Sequence, residues 1–294
     1  MLSPSPPLER ATALLGALVR VRVEDCAHTR AITATSAAFT AMARIHRAMS
    51  FHAPASELSR INRRAFRAPV RIGAATMAVL SEAMALARAS DGAFDPTMAP
   101  AAVRAGALPR PQGAPDPDPA ADWRDVELDE TGRTVRLHRP LWLDLGGIAK
   151  GYAVDMACDV LRRHGVVQGC VDAGGDICVF GPRPEPVAMD PGPAARSVAR
   201  VVWLTDTSVA SSGELTDSPA ASRANAIHYD PTRRRRVRRR FVSVLAHRCI
   251  HADALTKVVL ARGRAASNVL KAYGASAAVC SANRIWSVYG VLAA

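Results

Sequence analysis

Early in the chain, apolar residues return at helical spacing. Phe39, Met42, Ile45 and Met49 predict a helix over 33–49, and Met77, Leu80, Met84 and Ala87 predict a second over 74–89. Between them, FHAPASELSRINR offers Ser56 and Ser59 as caps for a short helix or turn. Farther on, Ala153, Val154, Ala157, Val160 and Leu161 keep the same period, so a helix begins near 149, and another begins near 252. Strand signals lie between. Residues 19–23 read as a strand, and 126–137 alternate around Thr131-Gly132, which predicts a hairpin. Residues 141–145 read as a strand feeding a glycine turn, and 165–181 as two short strands around a DAGGD turn. Further strands are expected at VVWL within 198–208, and at 241–246, 276–280 and 285–291. SDGAFDPTMAP, 108–122 and 181–197 carry the Gly, Pro and Asp of loops.

Strands and helices mix without a strict βαβ rhythm. The expected class is therefore α+β, with mixed or antiparallel sheets packed against helices. The 294 residues suffice for one large core or two modest ones. We expect a tail over 1–10 and a single domain over 11–294, with two lobes as an allowed arrangement. No apolar run reaches the ~18 residues of a membrane span. The start, MLSPSPPLERATALLGALVR, lacks a basic segment before its apolar stretch and lacks a cleavage site, so a cytoplasmic location is expected. The six cysteines form no CxxC pair and are expected to be buried free thiols.

The net charge of +12 suits anionic partners. Nearly all of the positive charge is arginine; lysine stands only at 150, 257 and 271. A compact point charge at Lys150 is thus an exception within this chain. The arginine run over 233–240 has no interleaved aromatic residue to stack on bases, so nucleic-acid binding is not expected as the main role.

Three short stretches carry candidate chemistry. In LDLGGIAK (143–150), a turn with Gly146 and Gly147 precedes a helix, and Lys150 adds a cation. Bare backbone, helix N–H groups and an ammonium together suit phosphate, although a turn packed by glycines has the same spelling. The spacing is neither GxGxxG nor GxxxxGK[ST]. GAFDPT (92–97) sets Asp95 before a stiffening proline. In HADALTK (251–257), Asp253 and Thr256 are neighbours on one helical face, with Lys257 one further position along. A carboxylate and a hydroxyl there suit a hard cation, while an acidic residue that complements the helix dipole is the plainer alternative.

Together, IHRAMSFHAPASELSRIN, SDGAFDPT, LDLGGIAKGYAVD, VDAGGD, SVASSGE, HYDP and ADALT resemble the ApbE-like flavin transferases, across roughly residues 15–262. The resemblance implies an ApbE-like fold that binds FAD and Mg²⁺. It implies transfer of the FMN half of FAD to a threonine or serine hydroxyl of an acceptor protein, with AMP leaving. Some members hydrolyse FAD to FMN and AMP, and a decayed, merely FAD-binding member is a further alternative. Many relatives are exported, so the periplasmic face of the inner membrane is a second allowed location. By resemblance, Leu15, Phe51, Ala93, Phe94, Asp95, Asp144 and Lys150 match FAD contacts. The Gly147 carbonyl, Asp253 and Thr256 match metal ligands, which makes Asp253 a catalytic candidate. His228 matches the histidine that both meets the nucleotide and deprotonates the acceptor hydroxyl; an ordinary histidine titrates near ~6.5, which suits that task.

The chain departs from the family pattern in four ways. Lys257 stands where a metal-ligating threonine is usual, so Lys257 is expected beside the phosphates, partly replacing metal charge. HYDP is shorter than the usual histidine spacing. The arginine run replaces an Arg-Thr-Gly turn. No export signal is visible.

Overall fold

The computed structural model describes residues 6–213, 215, 229–232, 235–237 and 240–291. Their order begins β1 (Leu8–Leu14), β2 (Ala17–Glu24), α1 (His28–Met49), α2 (Glu57–Arg64), β3 (Val70–Arg71), α3 (Ala74–Ala89) and α4 (Ala99–Arg104). It continues β4 (Val126–Asp129), β5 (Thr134–Leu137), α5 (Ala149–Arg163), β6 (Gln168–Ala173), β7 (Asp176–Phe180), β8 (Glu185–Met189), β9 (Arg200–Leu204) and β10 (Thr207–Ser212). It closes with β11 (Tyr229–Asp230), β12 (Arg235–Arg236), β13 (Arg240–Ala246), α6 (Cys249–Arg262), α7 (Ser267–Ala272), β14 (Ser276–Ser281) and β15 (Trp286–Gly290).

One eight-stranded sheet, in the order β1-β2-β6-β7-β10-β13-β14-β15, forms the floor, and every neighbouring pair in it is antiparallel. Helix α5 packs on β6 and β7, α6 on β10 and β13, and α1 lies along α5. Alanines at 31, 34 and 38 of α1 and at 153 and 157 of α5 are buried, and small side chains of this kind let two helices approach closely. A three-stranded sheet, β3-β5-β4, stands apart with the expected hairpin at its edge. The expected α+β class holds, with antiparallel main-sheet pairing.

Several expectations need correction, among them the loop reading of 181–197, which contains β8. Strand β1 begins at Leu8, inside the segment expected to be a tail. LERATAL lies at a sheet edge with one neighbour and buries little, so its pattern carried no strong strand signal. Residues 141–145 join no sheet. There the buried Asn62 side chain replaces a strand partner: its amide donates to the Leu143 carbonyl at 2.9 Å and accepts the Leu143 N–H at 2.8 Å. Strand β10 and the first turn of α6, from Cys249, also lie beyond the predicted bounds. Five cysteines are buried and Cys170 is half-buried, all as free thiols.

Candidate active site

The site is built from four chain segments around the start of α5. The loop 90–97 is folded by its own side chains. Ser90 Oγ accepts the Phe94 N–H at 3.0 Å, and Asp95 Oδ1 accepts both the N–H and the hydroxyl of Thr97, at 2.8 and 2.7 Å. Gly92 takes a positive φ of 70° where Trp123 Nε1 would press on any β-carbon, so glycine is required there. The Asp144 N–H donates to the Pro96 carbonyl at 2.8 Å, which ties this loop to the glycine turn. Asp144 Oδ1 then accepts the Gly146 N–H at 2.9 Å. Burial pushes both the Asp95 and Asp144 carboxyls above the usual range, against the pull of these hydrogen bonds.

The two loops enclose a cleft of about 310 Å³, a volume suited to part of a nucleotide. Ala93, Phe94, Asp95, Asp144, Gly147 and Lys257 are on its walls, together with Tyr229 and Pro231. A neighbouring recess of about 500 Å³ shares Asp95, Ala101, Tyr229 and Pro231 and adds Trp123 and Arg124. Six of the residues expected at the ligand are therefore brought together or adjoin: Ala93, Phe94, Asp95, Asp144, Gly147 and, behind the turn, Lys150. Leu15 and Phe51 do not line this cleft. Leu15 sits at φ 57° in the β1–β2 turn, and both pack partly buried against the core. His228 lies outside the described residues; Tyr229, which follows it, is on the cleft wall.

Beneath the glycine turn, Lys150, Asp176, Asp253 and Lys257 form a charge cluster. The two carboxylates are buried, and each lysine is about one quarter exposed (26%). The Lys257 ammonium forms a short ion pair with Asp253 Oδ1, and also donates to the Asp253 carbonyl at 3.1 Å and to Ser212 Oγ at 3.3 Å. Asp253 Oδ2 accepts the N–H of Gly151, in the first turn of α5, at 3.1 Å. A β-carbon on Gly151 would stand 2.3 Å from the Cys249 carbonyl oxygen and 2.8 Å from Asp253 Cβ, so only glycine lets α5 and α6 meet here. Thr256 Oγ1 donates to the Asp253 carbonyl at 2.7 Å and pairs with Ser212 Oγ at 2.7 Å. Lys150 Nζ stands 3.4 Å from Asp176 Oδ2.

Charge is divided unevenly in this cluster. Burial raises the Asp253 pKa, but the Lys257 and Lys150 ammoniums outweigh it and hold the carboxyl below the usual range. Asp176 is pushed up to about 8, by burial first and then by the Asp253 charge. For Lys150, burial favours the neutral amine, yet Asp176 and Asp253 hold the ammonium above its ordinary value. Of the N–H groups at the start of α5 that were expected to suit phosphate, that of Gly151 is already bonded to Asp253.

Sequence reading gave no role to Asp176, Ser212, Gly151 or Asp155. The signals were present: VDAGGD contains Asp176, SVASSGE contains Ser212, and LDLGGIAKGYAVD contains Gly151 and ends at Asp155. Asp155 Oδ1 accepts the Cys249 N–H at 2.7 Å and Oδ2 the Ile250 N–H at 3.0 Å, so α5 caps the first turn of α6. This bond pair sets where Asp253 and Lys257 stand.

Comparison with known proteins matches the ApbE family over residues 15–279. An FAD:protein FMN transferase of Vibrio cholerae is 31% identical over 230 residues, covering 73% of this chain and 69% of that protein. One of Treponema pallidum is 30% identical over 231 residues, covering 69% and 64%. Among solved structures, the flavin transferase ApbE of Vibrio cholerae superposes with a TM-score of 0.82 at 23% identity, over 98% of both chains. The ApbE protein of Thermotoga maritima gives 0.81 at 24%, over 97% of both. At these identities the structures establish the fold.

Proposed function

This chain belongs to the ApbE family, and on that premise we propose that it is an FAD:protein FMN transferase. It takes FAD as substrate and moves FMN to a threonine or serine hydroxyl of an acceptor protein. The observation that carries this reading is the cleft where the GAFDPT loop, the Asp144 turn and Lys257 converge over a buried charge cluster. An apolar wall at Phe94 and Met98 suits a ring system, and the cationic corner suits a pyrophosphate.

In the proposed reaction the acceptor oxygen attacks the phosphorus on the FMN side. A new P–O bond forms to the acceptor. The P–O bond to the bridging oxygen breaks, its electron pair leaves with AMP, and the acceptor proton passes to His228. Support for His228 is its place in the sequence, directly before Tyr229, a residue of the cleft wall. Developing charge on the phosphate oxygens is stabilised by the Lys257 and Lys150 ammoniums, and such fixed electrostatics supply most of the catalysis in phosphoryl transfer. Asp253 positions both Lys257 and the first turn of α5.

The Mg²⁺ that the family resemblance implies does not fit the residues present. A magnesium ion needs near-octahedral oxygen ligands at ~2.0–2.1 Å. Of the expected donors, both Asp253 oxygens are engaged, by an ammonium and an N–H, and the Thr256 hydroxyl is held by two protein oxygens.

Mass spectrometry of an acceptor domain, after incubation with this protein and FAD, tests the activity. The expected result is a gain of one FMN less water on a threonine or serine, together with AMP. Free FMN and AMP with an unlabelled acceptor would instead mark a pyrophosphatase, and intact bound FAD a binding protein.

A further inference from the structure

The donor set at Asp253 has the partners of a completed cation site, and the cation is part of the chain. Lys257 offers three N–H donors, and three oxygens meet them: Asp253 Oδ1, the Asp253 carbonyl and Ser212 Oγ. Its Cε lies 3.3 Å from where a β-carbon on Gly147 would stand, so the lysine stem covers the glycine corner. A divalent ion on Asp253 Oδ1 would have to displace this ammonium and sit beside it in a buried pocket that already holds Lys150. Among the described residues, no group of three His, Cys, Asp or Glu side chains is placed to hold a metal elsewhere.

We propose that the Lys257 ammonium is the resident cation of this site, standing in place of a divalent metal on Asp253, so that flavin transfer here requires no such metal. The lysine forms no covalent bond; it neutralises Asp253 on one side and faces the cleft, where the pyrophosphate would lie, on the other. Its three-point attachment fixes that charge before substrate arrives. The catalytic half of this inference rests on the flavin-transferase reading; the metal-binding half does not.

The deciding experiment is a Mn²⁺ titration of the full chain without flavin, followed by the loss of the free-ion electron paramagnetic resonance signal. Wild type should bind no stoichiometric Mn²⁺. Lys257→Thr, which frees Asp253 Oδ1 and adds a hydroxyl, should acquire one Mn²⁺ per chain, and adding Asp253→Asn should remove it. A wild-type protein that binds one Mn²⁺, lost in Asp253→Asn, overturns the proposal. So does a folded Lys257→Thr that stays metal-free. If Lys257→Thr does not fold, the wild-type titration decides alone.

In the activity arm, wild type in excess chelator should transfer FMN at its untreated rate, while Lys257→Met should lose about 10²–10³-fold in kcat, the size of one preorganised electrostatic contact. A chelator-induced loss that Mg²⁺ restores overturns the proposal. A protein inert toward FAD under every condition would sink the transferase reading, and the Mn²⁺ titration would still decide for or against Lys257.

Discussion

Two aspartates in one pocket behave differently because their nearest cations differ. Asp253 holds Lys257 in a short ion pair and accepts a backbone N–H, so it stays ionised. Asp176 is buried beside the Asp253 charge, and Lys150 at 3.4 Å offsets this only in part, so its carboxyl keeps its proton up to about pH 8. The unfolded chain releases that proton near pH ~4. Below about 4 both states are protonated and Asp176 contributes no pH dependence. Between about 4 and 8 the native state binds the extra proton, so stability falls as pH rises; above 8 the effect levels off. Melting temperatures measured from pH 4 to 9 should show this slope in the wild type. Asp176→Asn should remove that component and gain most, relative to wild type, at the alkaline end.

At the scale of elements, the site depends on how α5 meets α6. Asp155 bonds two N–H groups at the start of α6, and Gly151 is the point of closest approach. A buried donor left without an acceptor costs ~1–3 kcal/mol. Asp155→Ala strips two, so urea unfolding should show a loss of about 2–6 kcal/mol on that principle. FMN transfer by the folded fraction should fall as well, because Asp253 and Lys257 are carried on the same helix. Full activity per folded molecule would show that the cap does not position the site. Asn62 plays a comparable part for the strand-like segment 141–145: a side chain satisfies the backbone there, leaving the glycine turn free to face the cleft instead of a sheet neighbour.

For the whole molecule, helices α1, α2, α3, α5, α6 and α7, the main sheet and the three-stranded sheet share one large buried cluster, and β8 and β9 pack in two smaller ones beside it. Far-ultraviolet circular dichroism and tryptophan fluorescence should therefore report one coincident denaturant transition. FAD at about 100 times its dissociation constant should stabilise the fold by ~2.7 kcal/mol, read as a shift of that transition. Separate transitions would mean that the chain folds as two lobes. No helix among the described residues is long and apolar enough to cross a membrane.

Much of the chain was legible from local signals. Helical periodicity gave α3 its bounds, and Thr131-Gly132 marked the hairpin of β4 and β5, because side-chain period and turn chemistry act over a few residues. The motif spellings GAFDPT, LDLGGIAK and ADAL led to the family because each is a short run of residues whose identity and spacing are read directly along the chain. Edge strand β1 and the unpaired segment 141–145 were misread because their state is set by distant partners.

The Asp253–Lys257 spacing of one helical turn was also visible in the sequence, but its meaning was not. A surface pair at that spacing is worth little, and the carboxylate stays open to a metal. Burial against Gly151 and Ser212 makes it a committed pair, since a buried charge must keep its partner. The sequence by itself determined the elements, the motifs and the acidic and basic groups at hand. Only the tertiary structure decided which cation Asp253 holds, because that choice rests on oxygens and N–H groups brought together from α5, α6 and β10, far apart along the chain.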